Sequence, residues 1–253
     1  MYRMRRETPT PRPAAAEARV RRGYFECRFG QLHVHNSLPP GGGFEEATPL
    51  LCLHHCTGSG RVFARFLGFA GRDRSVYAPD LPGCGESDPP HGVPAIADYA
   101  VAIGDFLDSM RLRRLDVLGQ RAGALVGTEL AVTRPGQIGR LIMVSAPLLT
   151  AEERQRAGRA PPPPAAGDGT QPGGDAQGWL AAAAAQYPLR ERLTRLTQRV
   201  LVLRPRDDLW EATARVRDVL PGARLLDVEP SAEELFGPAA ARTADAVREF
   251  LQG

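Results

Sequence analysis

The sequence predicts an α/β protein, a mostly parallel central sheet flanked by helices. Two patterns carry that expectation. Short, wholly apolar runs such as residues 49–53 match strands buried on both faces of a parallel sheet. Strand-like runs then alternate with segments of helical period, at the spacing of βαβ units. The 253 residues fit one such domain with a long core.

Taken in order, residues 1–22 read as a disordered basic tail. Residues 1–23 carry seven arginines against Glu7 and Glu17, a net of +5, which leaves the rest of the chain at −2 of the total +3. Without interleaved aromatics, the tail reads as a solvated leader in preference to a nucleic-acid arm. Residues 24–29 and 31–35 alternate apolar and polar side chains across Gly30, as a strand–turn–strand pair does. Residues 49–53 form the next strand, followed by a glycine-containing loop and an amphipathic segment at 61–69. A strand at 75–78 precedes a helix at 96–110, where Tyr99, Ile103, Phe106 and Met110 share a face.

A strand at 115–118, a helix at 122–133 stopped by Pro135-Gly136, and a strand at 138–144 complete a first core segment, residues 23–146. Residues 147–198 interrupt the alternation as a lid insertion, helical at 149–156 and 179–198, with a Pro/Gly-rich centre at 161–178 expected to lack fixed structure. The core resumes over 199–253, with strands at 200–203 and 224–228 and helices at 210–220 and 239–251.

Several chemistries are excluded or disfavoured. The chain has no lysine, which removes Schiff-base and pyridoxal chemistry and a phosphate-loop lysine. Four cysteines without C-x-x-C spacing favour reduced thiols and a cytoplasmic setting. There is no secretory pattern at the start, and no apolar run approaches the roughly 20 residues that cross a bilayer. A metal site from His54, His55 and Cys56 is disfavoured because three consecutive residues rarely converge on one ion. No cofactor or metal is expected. The expected partner is a small-molecule substrate, without nucleic acid or membrane, and a homodimer is left open.

Four motifs place residues 49–251 beside a known family. They are His54-His55-Cys56-Thr57-Gly58-Ser59-Gly60, Asp80-Leu81-Pro82-Gly83-Cys84-Gly85-Glu86-Ser87, Gly119-Gln120-Arg121-Ala122-Gly123, and Arg204-Pro205-Arg206-Asp207-Asp208. In order and spacing the chain resembles the α/β-hydrolase superfamily. The resemblance implies that fold, a lid over the sheet's C-terminal edge, a nucleophile elbow at 119–123 and a triad acid, best placed at Asp208. It also implies that His54 holds its loop together and that Asp80 is chiefly a turn residue.

The departures are as specific as the match. Arg121 stands where the nucleophile belongs. The five histidines end at His91, so the triad position near Ser231 has none. Charge-relay hydrolysis at the elbow is therefore excluded. Arg121 has two readings. At a helix N-terminus it could receive a carboxylate or enolate, with the Ala122 and Cys56 N–H groups as oxyanion donors. It could equally pair with a structural acid such as Asp208.

His55 is the best acid–base group left, and Arg121, His55 and Asp208 form the expected catalytic set. Cys56, Gln120, Ala122, His54 and Ser231 are expected to contact substrate. Cys56 and Ser59 are alternative relocated nucleophiles. Glu233 and Glu234 are secondary candidates for a base, His33 and His35 read as incidental, and nothing fixes the direction of His91. The resemblance implies an enzyme for a cyclisation, elimination, pericyclic reaction or isomerisation of a small molecule; the Arg121 site points to an anionic or enolisable one, and the Arg- and Ala-rich composition to a polyketide-like metabolite of secondary metabolism. The alternatives are an inactive ligand-binding or scaffolding protein and a hydrolase with a displaced nucleophile.

Overall fold

Strand β1 (Val20–Cys27) and strand β2 (Gly30–Ser37) form an antiparallel hairpin closed by Arg28 and Phe29, with Cys27 opposite Gly30. Gly30 takes φ 109°, a conformation glycine adopts without a Cβ penalty. The computed structural model describes residues 17–40, 47–159, 174–232 and 234–253. Within it β1 starts earlier than the composition suggested. Val20, Arg21 and Arg22 pair with Ser37, Asn36 and His35, and the Ala18 N–H donates to Gly68 O at 2.8 Å. Residues 20–22 are thus an edge strand, whose exposed arginines sit where charges block further pairing. Residues 1–16 of the expected tail lie outside the described residues.

The sheet continues through β3 (Ala47–Leu53), helix α1 (Ala64–Ala70), β4 (Arg74–Pro79), helix α2 (Ile96–Ser109), β5 (Leu115–Gln120), helix α3 (Ala122–Thr133) and β6 (Ile138–Val144). The lid holds α4 (Ala151–Arg159), α5 (Gly174–Gln186) and α6 (Leu189–Leu193). Then come β7 (Arg199–Pro205), α7 (Trp210–Ala214), α8 (Val216–Val219), β8 (Arg224–Val228) and α9 (Ala240–Gln252). Strand order is β1-β2-β4-β3-β5-β6-β7-β8, antiparallel for β1/β2 and β2/β4 and parallel from β4 to β8.

Alternate residues of β3 serve opposite faces. Leu51 and Leu53 join Ile103, Phe106, Leu125 and Leu130 of α2 and α3. Leu50 and Cys52 join Phe66, Leu67, Val247 and Phe250 of α1 and α9. Helices cover both faces, and in open sheets of this kind ligands bind beyond the C-terminal ends of the parallel strands.

Three expectations about helices need correction. The segment at 179–198 is two helices, because Pro188 lacks the N–H that would continue α5. Residues 174–178, expected to lack structure, begin α5; residues 160–173 lie outside the described residues. The helix expected at 210–220 splits at Arg215, whose guanidinium binds Glu153 at 2.6 and 2.9 Å and the Leu148 carbonyl at 3.2 Å. The lid is tied to the core by a buried carboxylate on α3. Glu129 accepts the Tyr187 hydroxyl at 2.8 Å and lies 3.4 Å from Arg192.

Candidate functional site at the β5 elbow

One residue, Arg121, separates β5 from α3, and it takes φ 51° and ψ −113°. A side-chain-bearing residue in that region costs about 1–3 kcal/mol, which the surrounding packing has to hold. The Arg121 N–H donates to Val144 O at 2.9 Å, and its carbonyl accepts from the Ala124 N–H at 3.0 Å. A Cβ on Gly119 would meet the backbone of Gly123 and Ala124, and one on Gly123 would meet the carbonyls of Leu53 and His54. The elbow geometry of a nucleophile is kept with a guanidinium in its place.

That guanidinium is clamped by two acids beyond the end of β7. Nη1 donates to Asp208 Oδ2 at 3.2 Å, and Nη2 donates to Asp208 Oδ1 and to Asp207 Oδ2, the latter at 3.2 Å. Asp207 is nine-tenths buried and also accepts the Ser145 hydroxyl at 2.6 Å and the Leu209 N–H at 2.9 Å. Asp208 is 71% exposed. Burial opposes the guanidinium charge, but the bonds to Asp208 and the charges of both aspartates outweigh it and raise the Arg121 pKa. In return the Arg121 hydrogen bonds hold the Asp208 carboxyl below its ordinary value.

One guanidinium against two carboxylates leaves this cluster at −1. The expectation of a free cationic receptor is corrected accordingly: the acids already occupy both edges of the fork. Asp207 and Ser145 are the members that the sequence reading passed over. Adjacent aspartates after a strand were visible, but which one turns inward was not. Ser145, at φ 52°, decides it through its hydroxyl.

The remaining candidates separate by their bonds. His54 is fully buried with both ring nitrogens engaged: Nδ1–H donates to His55 O at 2.7 Å and Nε2 accepts from the Leu81 N–H at 2.8 Å. Burial lowers its pKa to about 4, so it is a neutral strut of its loop. His55 is half-buried, and its Nδ1 accepts from the Thr57 N–H at 3.3 Å. An amide can only donate, so the His55 hydrogen sits on Nε2. The Thr57 hydroxyl lies 3.1 Å from the same Nδ1.

Burial pushes the Cys56 thiol up to about 11, against the opposing pull of its own backbone N–H and the charge of Arg121. At neutral pH it is a thiol, and a thiol is not the attacking species. Ser59 is tied up locally, its Oγ accepting from the Arg61 N–H at 3.4 Å at the start of the 3-10 turn Gly60–Phe63.

Gln120 and Ser231, expected as substrate contacts, both hold framework partners. Gln120 is buried and its amide donates to Ala232 O at 3.2 Å, joining the elbow to the loop after β8. Ser231 and Glu234 exchange bonds, Ser231 N–H to Glu234 Oε2 at 2.9 Å and Glu234 N–H to Ser231 Oγ at 3.3 Å. This caps the 3-10 turn Glu234–Phe236 and occupies Glu234, while Glu233 lies outside the described residues. Ala122 is buried in the first turn of α3, where N–H groups lack intrahelical acceptors. His91 sits edge-on to Phe29, 6.4 Å between ring centroids.

Two residues past Ser145 the chain enters the wall of a cavity of about 510 Å³ between the lid and the segment after β6. Its lining is apolar at Pro147, Leu148 and Leu189, with Arg154 and Arg190 as cations without a salt bridge among the described residues. Glu191 and Arg215 also line it, the latter paired with Glu153.

Residues 50–251 match the model of a family described as the alpha/beta hydrolase family. An uncharacterized protein of Mycobacterium tuberculosis is 38% identical over 72 residues, 28% of this chain and 21% of its own length. A 2-hydroxy-6-oxo-2,4-heptadienoate hydrolase of Pseudomonas putida is 30% identical over 76 residues, 30% of this chain and 28% of its own. The chain thus spans less than a third of either of these relatives. The enol-lactonase of Burkholderia xenovorans has a similar structure, with a TM-score of 0.74 at 18% identity over 91% of this chain and all of that one.

Proposed function

The chain belongs to the alpha/beta hydrolase family, and within it we propose a member that does not hydrolyse. In this reading it binds a small amphipathic, enolisable anion and rearranges it by positioning and hydrogen bonding. The observation that carries the reading is Arg121, held at the elbow by Asp207 and Asp208 where acyl transfer needs a hydroxyl and a histidine. The relocated nucleophiles have little support. Cys56 is kept protonated, and Ser59 Oγ caps its own turn.

His55 is the hydrogen-bond donor of this proposal. With its hydrogen on Nε2 it can donate a hydrogen bond to a developing enolate oxygen, stabilising the charge without giving up the proton. The cavity under the lid supplies the apolar wall, and its arginines the attraction for a carboxylate.

A fluorophosphonate followed by intact-mass measurement tests the reading, together with p-nitrophenyl butyrate turnover. No adduct and release at the buffer rate are expected. An adduct, or turnover that disappears in Cys56→Ser or Ser59→Ala, overturns it. Native iodoacetamide labelling at pH 7 should modify Cys56 about 100-fold more slowly than a free thiol, since its thiolate fraction is that much smaller.

A second reading is a ligand-binding protein without turnover. It is favoured by the pairing of Arg121, which leaves the elbow no free cation for a transition state. Ligands found by thermal shift among small enol acids separate the two. Recovery of every such ligand unchanged after incubation selects the binder, and a product whose formation is lost in His55→Gln selects the enzyme.

A further inference from the structure

His33 and His35 lie two residues apart on β2, so they face the same side of the sheet. Asp80 reaches the same point from the end of neighbouring β4. All three are buried, and one ring nitrogen of each histidine and a carboxylate oxygen of Asp80 lie within 4.8 Å of one another. The imidazoles meet edge to face, 4.7 Å between centroids.

The bonds leave room for one more partner. Asp80 Oδ1 accepts from the Gly60 N–H at 2.6 Å. Its Oδ2 accepts from the Glu86 N–H at 2.9 Å and lies 3.0 Å from His33 Nδ1. A carboxylate offers about four acceptor sites, so one remains. His35 Nδ1 is buried with no hydrogen-bond partner among the described residues, a state that interiors tolerate poorly. Tyr24 covers the cluster, its ring 5.1 Å from that of His33 and its hydroxyl on Glu86 at 2.6 Å.

We propose that His33, His35 and Asp80 form a site for a divalent transition-metal ion of the zinc class, with a water as fourth ligand. Bonds of about 2.0–2.1 Å in a tetrahedron put ligand atoms about 3.4 Å apart, which small side-chain movements from the present spacing reach. Where the ion takes His33 Nδ1, the ring hydrogen there moves to Nε2 by exchange with solvent, and the imidazole stays neutral as a ligand. Because Asp80 also holds Gly60 and Glu86, the ion fastens the β1–β2 hairpin to two loops at once. The site is separate from the Arg121 cluster and independent of the reading proposed for it.

The test uses the chelator-stripped full chain, with Zn²⁺ as probe and Co²⁺ as its spectroscopic substitute. One equivalent of Zn²⁺ is expected to bind and raise Tm by about 5–10 °C at 100-fold excess over Kd. Co²⁺ should give tetrahedral d–d bands without thiolate charge transfer. Both signals should vanish in His35→Ala and His33→Asn and persist in Cys27→Ser. Absence of both signals in the unmodified chain overturns the site, as does binding retained by both histidine variants or a thiolate band that puts the ion on cysteine. If the histidine variants do not fold by circular dichroism, the Co²⁺ spectrum of the unmodified chain decides between these outcomes.

Discussion

Asp80 and the Arg121 cluster both stand at the C-terminal edge of the sheet, yet they are built in opposite ways. Asp80 is one carboxylate serving donors from three segments, Gly60, Glu86 and His33, at 1% exposure. Arg121 is one guanidinium serving two acids of a single segment, and the outer acid is 71% exposed. Burial gives the first cluster its value for folding, because each donor it leaves behind would be unsatisfied in a dry place. Solvent reaches the second through Asp208, so its outer bonds contribute less to the stability of the chain.

The contrast breaks first at Asp80. Asp80→Ala should lower unfolding free energy in urea by about 3–5 kcal/mol, since three donors lose their buried acceptor at about 1–3 kcal/mol each. A loss under about 1 kcal/mol would place Asp80 with the solvent-screened group. Glu129 tests the same rule on the lid side. Glu129→Ala strands the Tyr187 hydroxyl and Arg192, and should cost about 2–3 kcal/mol with loss of lid protection in amide exchange.

Arg121→Ala sharpens the other half. Its stability should change by no more than about 1 kcal/mol, and ester turnover should remain at the buffer rate, since no histidine follows β8 to activate water. A destabilisation like that of Asp80→Ala would show that the clamp is structural after all.

The smallest effect is in the acid arm of the stability profile. The Asp208 carboxyl is held below its unfolded value, so its contribution is complete above about pH 4 and fades as pH falls through the native value. Tm recorded from pH 2 to 6 should therefore drop less steeply in Asp208→Asn. An identical acid arm would remove Asp208 from the linkage.

The scaffold was legible because its signals are local. Short apolar runs, the glycines at 119 and 123, and the Asp80 turn each report a backbone requirement at their own position. Hence the parallel sheet and the elbow were readable before any coordinate. The site was less so, because its members are chosen by contacts between distant segments. Arg121 was seen, and its pairing with an acid was one of two readings, but the inward turn of Asp207 depends on Ser145, 62 residues away. The framework bonds of Gln120 and Ser231 were not readable, because position in a motif does not show where a side chain's hydrogen bonds go. His33 and His35 were passed over because Asp80, the residue that gives them meaning, lies on another strand's end.

The central claim is that a guanidinium clamped between acids occupies the elbow in solution. It is tested most directly by following the Asp208 carboxyl carbon by NMR from pH 2 to 6, in the unmodified chain and in Arg121→Ala. A midpoint below the ordinary aspartate value that rises when Arg121 is removed is the predicted result. The same midpoint in both proteins would contradict the clamp.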